Sequence, residues 1–207
     1  MNKFLHCSEI IDWEHPAILR QAKALGRLGN VADIAKACFE WVRDEVQHSR
    51  DFERNPATWR ASDVLEHRTG YCYAKSHLLA ALLRANGIPA GFCYQRLSVN
   101  DSGPPYCLHG LNAVWLPDVG WYRVDARGNR AGIDAQFTPP VERLAFELQS
   151  EGEVEFENIF PEPLECVVEV LQRNRTWDEV LAALPDIAIG KFSAMELVVR
   201  RRGPTES

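Results

Sequence analysis

Long apolar runs are missing from this 207-residue chain. A membrane-spanning helix needs about 18 apolar residues in succession. The longest candidate, residues 78–83, is closed by Arg84. The N-terminus has no basic stretch followed by an apolar one, so no secretory leader is expected. Cysteine is sparse. Six in 207 residues are too dilute for a disulfide scaffold, which leads to an expectation of reduced thiols and a cytoplasmic location. No two cysteines have the spacing of a zinc knuckle. Cys107 and His109 stand close in sequence, but nothing nearby completes a ligand set, so no metal is expected. Positive charge is also short: 23 Lys and Arg against 29 Asp and Glu give a net charge of -6. That argues against nucleic acid as a partner, and the missing apolar run argues against a membrane. The basic cluster Arg200-Arg201-Arg202 reads as a solvated end. Internal repeats and low-complexity tracts are absent.

What remains is an ordinary globular composition, 46% apolar and 25% charged, which suits one domain over residues 1–207. The pattern predicts a core at about residues 31–130 and a C-terminal helix and strand extension over 131–207. Helices are expected over 14–28, with Pro16 in the first turn, and over 30–46, capped by Asn30. Residues 48–59 read as a loop and 69–71 as a turn. Ser62 is the expected cap of a short helix over 63–67. A helix over 72–86 stops at Gly87 and is apolar around most of its circumference, so it belongs in the middle of the fold. Strands follow at 90–97, 109–116 and 121–124, the last two forming a hairpin. Residues 139–163 give no clear pattern. A capping box at 176–179 opens a short helix, and 194–199 reads as a last strand. Helices first and strands second predict α+β with an antiparallel sheet.

Cys72 stands at the mouth of the apolar helix, directly after Thr69-Gly70-Tyr71. The first N–H groups of a helix lack internal partners and carry the positive end of its dipole. A thiol there ionises more readily, and the same amides can receive the oxygen of an attacked carbonyl. A plain structural reading competes: cysteine at a helix start also simply packs. A nucleophilic thiolate needs an imidazole partner. His77, five residues further along the helix, points about 140° away. His67 lies before the turn and reads as surface. His109 opens a strand and is followed by Asp125 on the return strand. Counting back around a short hairpin loop sets Asp125 three or four residues out of line with His109, on the order of 10 Å along the strand. A bulge, strong twist or longer loop is then needed to join them, and Asp118 and Asp134 are the weaker substitutes.

Several blocks taken in order resemble the transglutaminase-like superfamily. They are Gly70-Tyr71-Cys72-Tyr73-Ala74-Lys75, the run from Leu79 through Arg84-Ala85-Asn86-Gly87-Ile88-Pro89-Ala90, His109-Gly110, Trp115-Leu116-Pro117, Gly120-Trp121 and Val124-Asp125. Trp41-Val42-Arg43-Asp44-Glu45 and Ala61-Ser62-Asp63-Val64-Leu65 extend the likeness over about residues 33–129. The resemblance implies a papain-like α+β fold, with the nucleophile helix packed on an antiparallel sheet. It also implies a Cys–His–Asp triad in chain order: Cys72, His109 and Asp125. Relatives often carry an aromatic residue near position 48. Here Gln47 and His48 stand there and become the candidates for the oxyanion donor, with Trp59 and Tyr71 as alternatives. Tyr71, Trp59 and Tyr106 are the candidates for contacting substrate, and Tyr73, Trp115 and Trp121 are further aromatics near the triad in sequence.

The implied activity is acyl transfer from an amide through a thioester, with no cofactor. Some relatives use calcium, but the dense acidic loop that it requires is not seen. Water as acceptor makes a peptidase or amidase acting on a peptide or small amide, which is the preferred expectation. An amine as acceptor makes a transglutaminase. A non-catalytic peptide-binding module on the same fold is the other class.

Overall fold

The computed structural model describes residues 1–100 and 103–200. Arg201 and Arg202 of the basic cluster lie outside the described residues, as do Asp101 and Ser102. The helices at the start of the chain are α1 (Pro16–Leu25), α2 (Val31–Glu45), α3 (Ser49–Phe52), α4 (Ala61–His67) and α5 (Cys72–Ala85). Two short strands, β1 (Gln47–His48) and β2 (Thr69–Gly70), are threaded between them. Then come β3 (Ala90–Ser98), β4 (Tyr106–Leu116), β5 (Gly120–Val124), β6 (Val154–Phe156), α6 (Glu165–Arg173), α7 (Trp177–Ala182) and β7 (Val199–Arg200). The fold is α+β, as the order of helices and strands predicts.

The helix caps explain where these elements start. Pro16 opens α1, and the Asn30 side chain accepts the Asp33 N–H at 3.0 Å to start α2. Thr176 and Glu179 form the predicted capping box of α7. Ser62 is not a cap. Helix α4 begins one residue earlier, and the Ser62 N–H is taken by the Asp12 carboxylate at 3.0 Å. That cap comes from 50 residues away and leaves no local signal.

Helix α5 is the centre of the molecule. Every residue from Cys72 to Arg84 is buried. It packs against α1, α2 and α4 on one side and against β3 and β4 on the other. A surface apolar around most of its circumference suits such a position, and its buried polar side chains Lys75, Ser76, His77 and Arg84 each find a backbone carbonyl. The main sheet is antiparallel with strand order β5-β4-β3-β6-β7. β3 and β4 pair from Ala90↔Val114 to Ser98↔Tyr106. On the face of the sheet away from α5, Cys93, Leu111 and Ala113 form a small second core closed by Trp121, Leu144 and Ile159. The patternless segment 139–163 therefore covers that face and supplies β6.

Three predicted stretches differ. The loop over 48–59 begins with β1 and α3, and the turn at 69–71 contains β2. These strands pair in parallel, Gln47↔Thr69 and His48↔Gly70, and two-residue strands have no periodicity to read. The expected strand over 194–199 is a 3-10 turn (Ser193–Met195) followed by β7. Helix α6 was not foreseen. It buries Val167 and Leu171 from a short segment that follows prolines.

The β1–β2 pairing carries the chain from α2 to the doorstep of Cys72. Buried hydroxyls fasten it: Thr58 donates to the Thr69 carbonyl at 2.8 Å, and the Ser49 and Thr69 hydroxyls lie 3.1 Å apart. The buried Lys75 ammonium donates to the carbonyls of Arg43 and Val46, tying α5 to the end of α2. Close approach at this point needs two glycines. A Cβ on Gly70 would meet the Ala74 Cβ at 3.0 Å, and one on Gly110 would meet Tyr73 Cδ1 at 2.9 Å.

Candidate active site

The side chain at the N-cap of α5, Tyr71, does not cap the helix. Its hydroxyl instead donates to the Trp177 carbonyl at 2.5 Å. The first amides of α5 thus have no side-chain acceptor, and Cys72 sits among them with 7% exposure. The residues ahead of the helix leave its positive end open toward a cleft of about 410 Å³. Cys72 and His109 both line this cleft.

His109, on β4, is 5% exposed, and its Nε2 lies 2.7 Å from Asp125 Oδ2. Burial alone would push the imidazole pKa down. The charges and hydrogen bonds of Asp125 and Cys72 overcome that and raise it to about 10. The carboxylate thus occupies Nε2, and the ring lines the cleft together with the thiol. The Phe146 ring stands edge-on to it, with centroids 4.9 Å apart. Asp125 has no exposed surface. Burial pushes its carboxyl up, but the His109 charge outweighs this and holds it below the usual carboxylate range. The Arg127 N–H on Oδ1 (3.1 Å) and the Ala145 N–H on Oδ2 (3.2 Å) act the same way.

The misalignment expected between His109 and Asp125 is cut to two residues by the hairpin register. Leu116↔Gly120 closes the turn and Val124 pairs with Asn112. One step beyond, Asp125 comes level with Leu111, two residues from His109 on the same face. That diagonal is within reach of a long side chain. The substitutes are elsewhere: Asp118 is exposed in the turn, and exposed Asp134 pairs with Arg143.

Of the oxyanion candidates, His48 and Tyr71 line the cleft, whereas Gln47 and Trp59 do not. His48 is 6% exposed, and its ring meets the Tyr71 ring at 5.4 Å. Burial, then the charges of Arg127 and Lys75, push its pKa well below the usual value, so it is neutral. Its Nδ1 is buried without a hydrogen bond, 3.7 Å from Asp51 Oδ1.

Of the substrate candidates, only Tyr71 faces the cleft. Trp59 lies under the Arg60 guanidinium at 4.3 Å, and Tyr106 under that of Arg96 at 4.0 Å. Trp115 and Trp121 stack edge-on against each other at 5.7 Å, while Tyr73 joins Tyr71 in the lining. His77 is buried, with Nδ1 2.7 Å from the Trp59 carbonyl, away from Cys72. Cys107 lines the cleft too, its thiol pushed up to about 12 by burial. Among the described residues, no three His, Cys, Asp or Glu side chains gather as a metal site.

Sequence reasoning missed four contributors. Asp51 pairs with both terminal nitrogens of Arg127, at 2.7 and 2.9 Å, next to His48. Arg127 also donates its N–H to Asp125, an aspartate-to-residue-plus-two contact whose spacing is legible in sequence. Phe146 and the Ala145 amide come from the patternless segment and had no signal.

Among the described residues, no helix is long and apolar enough to cross a membrane. Comparison with curated proteins finds no match. Among solved structures, the chain is similar to a candidate cysteine protease from Cytophaga hutchinsonii. The identity is 24% over 60% of this chain and 40% of that one, with a TM-score of 0.48. It is also similar to the periplasmic domain of TgpA from Pseudomonas aeruginosa, at 28% identity over 54% of this chain and 42% of that one, with a TM-score of 0.42. The chain thus spans well under two thirds of the length of either. The family model described as the transglutaminase-like superfamily matches residues 21–126, just over half of the chain, and that span includes Cys72, His109 and Asp125. This chain belongs to the transglutaminase-like superfamily.

Proposed function

We propose that the protein is a thiol enzyme that hydrolyses an amide bond of a peptide or small amide, with Cys72 as nucleophile. The observation that carries this reading is the His109 imidazole, which is held by Asp125 at 2.7 Å and lines the same cleft as the Cys72 thiol at the open end of α5. The Cys72 sulfur attacks the carbonyl carbon, and the oxygen takes the negative charge. The Cys72 N–H at the open end of α5 receives that oxyanion. His109 gives its proton to the leaving amine as the C–N bond breaks, leaving a thioester. It then takes a proton from water, which attacks the thioester carbon. The C–S bond breaks, releasing the acid and restoring the thiolate. Asp125 holds the ring in orientation and balances its charge.

Alkylation tests this reading. At mildly acidic pH, iodoacetamide is expected to label Cys72 ahead of the other five cysteines. Equal labelling of all accessible thiols, or none at Cys72, points instead to a binding module. The same reagent reads the proposed reducing compartment. Denatured without reductant, the protein is expected to show six free thiols, and two or three native disulfides would overturn a cytoplasmic location.

We assign the second oxyanion donor to His48, since Gln47 does not reach the cleft. Replacing His48 by alanine is expected to lower kcat about 10²- to 10³-fold with little change in KM. An unchanged kcat would return the role to the backbone alone.

The choice of water over an amine rests on the lining. Amine transfer requires water to be kept from the thioester. Four of the six aromatics near the triad in sequence are not in the lining, where three arginines and two glutamates stand beside Tyr71, Tyr73, Phe146 and aliphatic side chains and keep the cleft open to water. An activated acyl substrate offered water and a millimolar primary amine is expected to yield mainly the acid. Mainly amide product would make the enzyme a transferase with the same nucleophile.

A further inference from the structure

The wall of the cleft beside His48 carries more cations than it can neutralise. Arg50, Arg127 and Arg130 all line the cavity. Asp51 is the carboxylate among them, and both its oxygens are taken by the Arg127 guanidinium at 2.7 and 2.9 Å. Arg130 reaches the same carboxylate only at 3.5 Å, with its side chain 57% exposed. Arg50 is exposed, and among the described residues it pairs with no carboxylate. It lies in α3, two residues after His48, and lines the same cleft as Tyr71, Cys72 and Cys107.

The two carboxylates of the lining form no ion pair with these arginines among the described residues. They are Glu147 and Glu153. Glu153 is 4% exposed and saturated by backbone N–H groups from Ser98 (2.9 Å), Gln149 (2.5 Å) and Ser150 (3.0 Å). Glu147, exposed, is the acidic side chain left to set against two arginines. In a chain with net charge -6, the wall beside His48 thus sets three guanidiniums against one carboxylate, with Arg50 unpaired among the described residues and Arg130 held only through the 3.5 Å contact to Asp51. Guanidinium is suited to grip a carboxylate through paired N–H groups, and a charged cleft raises the local concentration of the opposite charge.

We infer that the cleft selects acyl substrates carrying a carboxylate close to the scissile amide, such as an acidic peptide, seated against Arg50 and Arg130. This rests on the reading of Cys72 as the thiol that is acylated.

The test compares two reagents of similar size and opposite preference. Iodoacetate is an anion and iodoacetamide is neutral, and both consume the same Cys72 thiolate. The ratio of their rates therefore cancels any change in thiolate population. At low salt, the iodoacetate/iodoacetamide ratio at Cys72 is expected to exceed that of free cysteine about tenfold. It should fall to the free-cysteine value in the Arg50→Gln/Arg130→Gln variant. A ratio equal to that of free cysteine in the unsubstituted protein, or one unmoved by the double substitution, overturns the inference.

A second measurement is independent of thiol chemistry. Cys72→Ala protein is titrated with glutarate and with glutaramide, followed by chemical shift. Glutarate is expected to bind about tenfold more tightly, and to lose that advantage with Arg50→Gln/Arg130→Gln. Equal binding of the two overturns the inference. Selective glutarate binding in a protein whose Cys72 resists both alkylating reagents would keep the anion subsite and remove the thiol mechanism.

Discussion

Replacing Cys72 by alanine is expected to reduce turnover of an amide substrate by at least about 10⁴-fold, while stability changes by about 1 kcal/mol or less. The two effects separate because of where the sulfur sits. Cys72 is at the end of α5, at the floor of the cleft, so losing Sγ enlarges a space that is already open and leaves no sealed cavity. Alanine is also the better helix former. The apolar face that anchors α5, Leu78 to Leu83, is untouched. The nucleophile has no substitute of equal standing. Cys107 shares the cleft, but burial pushes its thiol up to about 12, so it is protonated at neutral pH. Steady-state kcat and thermal unfolding of the two proteins check both halves. Full activity in the alanine variant would refute the nucleophile. A large loss of stability would show that Cys72 serves the fold.

The Asp125→Asn variant is expected to be slower by about 10³- to 10⁴-fold and less stable by about 2 kcal/mol. The carboxylate accepts three hydrogen bonds with no exposed surface: one from His109, one from the Arg127 N–H and one from the Ala145 N–H. An amide has one accepting oxygen. If that oxygen keeps His109 and Ala145, the NH₂ group is turned against the Arg127 N–H, and two donors face each other in a site closed to water. The imidazolium also loses the charge that sustains it. With the pKa of His109 raised to about 10, the alkaline limb of the rate profile lies near there in the native protein. In the asparagine variant the limb moves toward acid, because burial remains and the opposing carboxylate charge is gone. Profiles of kcat against pH for both proteins read this shift. An unchanged rate and limb would remove Asp125 from the site.

The same pair sets a stability window. The raised pKa of His109 contributes stability that is fully present below its ordinary value near 6.5 and is lost as pH climbs through about 10. The depressed pKa of Asp125 contributes stability present above its ordinary value of 3.8 and lost as pH falls through the lower folded value. Both contributions are complete together in weakly acidic solution.

Much of this was legible in the residues alone. The largely apolar helix 72–85, its glycine stop and the hairpin after it are local statements, written in side-chain periodicity and turn chemistry that a chain carries wherever it goes. Cys72 at a helix start and His109 on a strand follow from those elements, and family likeness joined them to Asp125. Tertiary structure decided everything that rests on contacts between distant segments. The hairpin register, set by a three-residue turn, resolved the distance between His109 and Asp125. The pairing of β1 with β2 sets His48 beside Gly70, where it lines the cleft and Gln47 does not, and two-residue strands are too short to carry a period. Segment 139–163, patternless because it lies over a sheet instead of forming its own core, supplied the Ala145 amide and Phe146. The surplus of guanidinium at the cleft likewise exists only in three dimensions. Arg50, Asp51, Arg127 and Arg130 read along the chain as ordinary solvated charges, and the fold determines which carboxylate is shared and which arginines are left over.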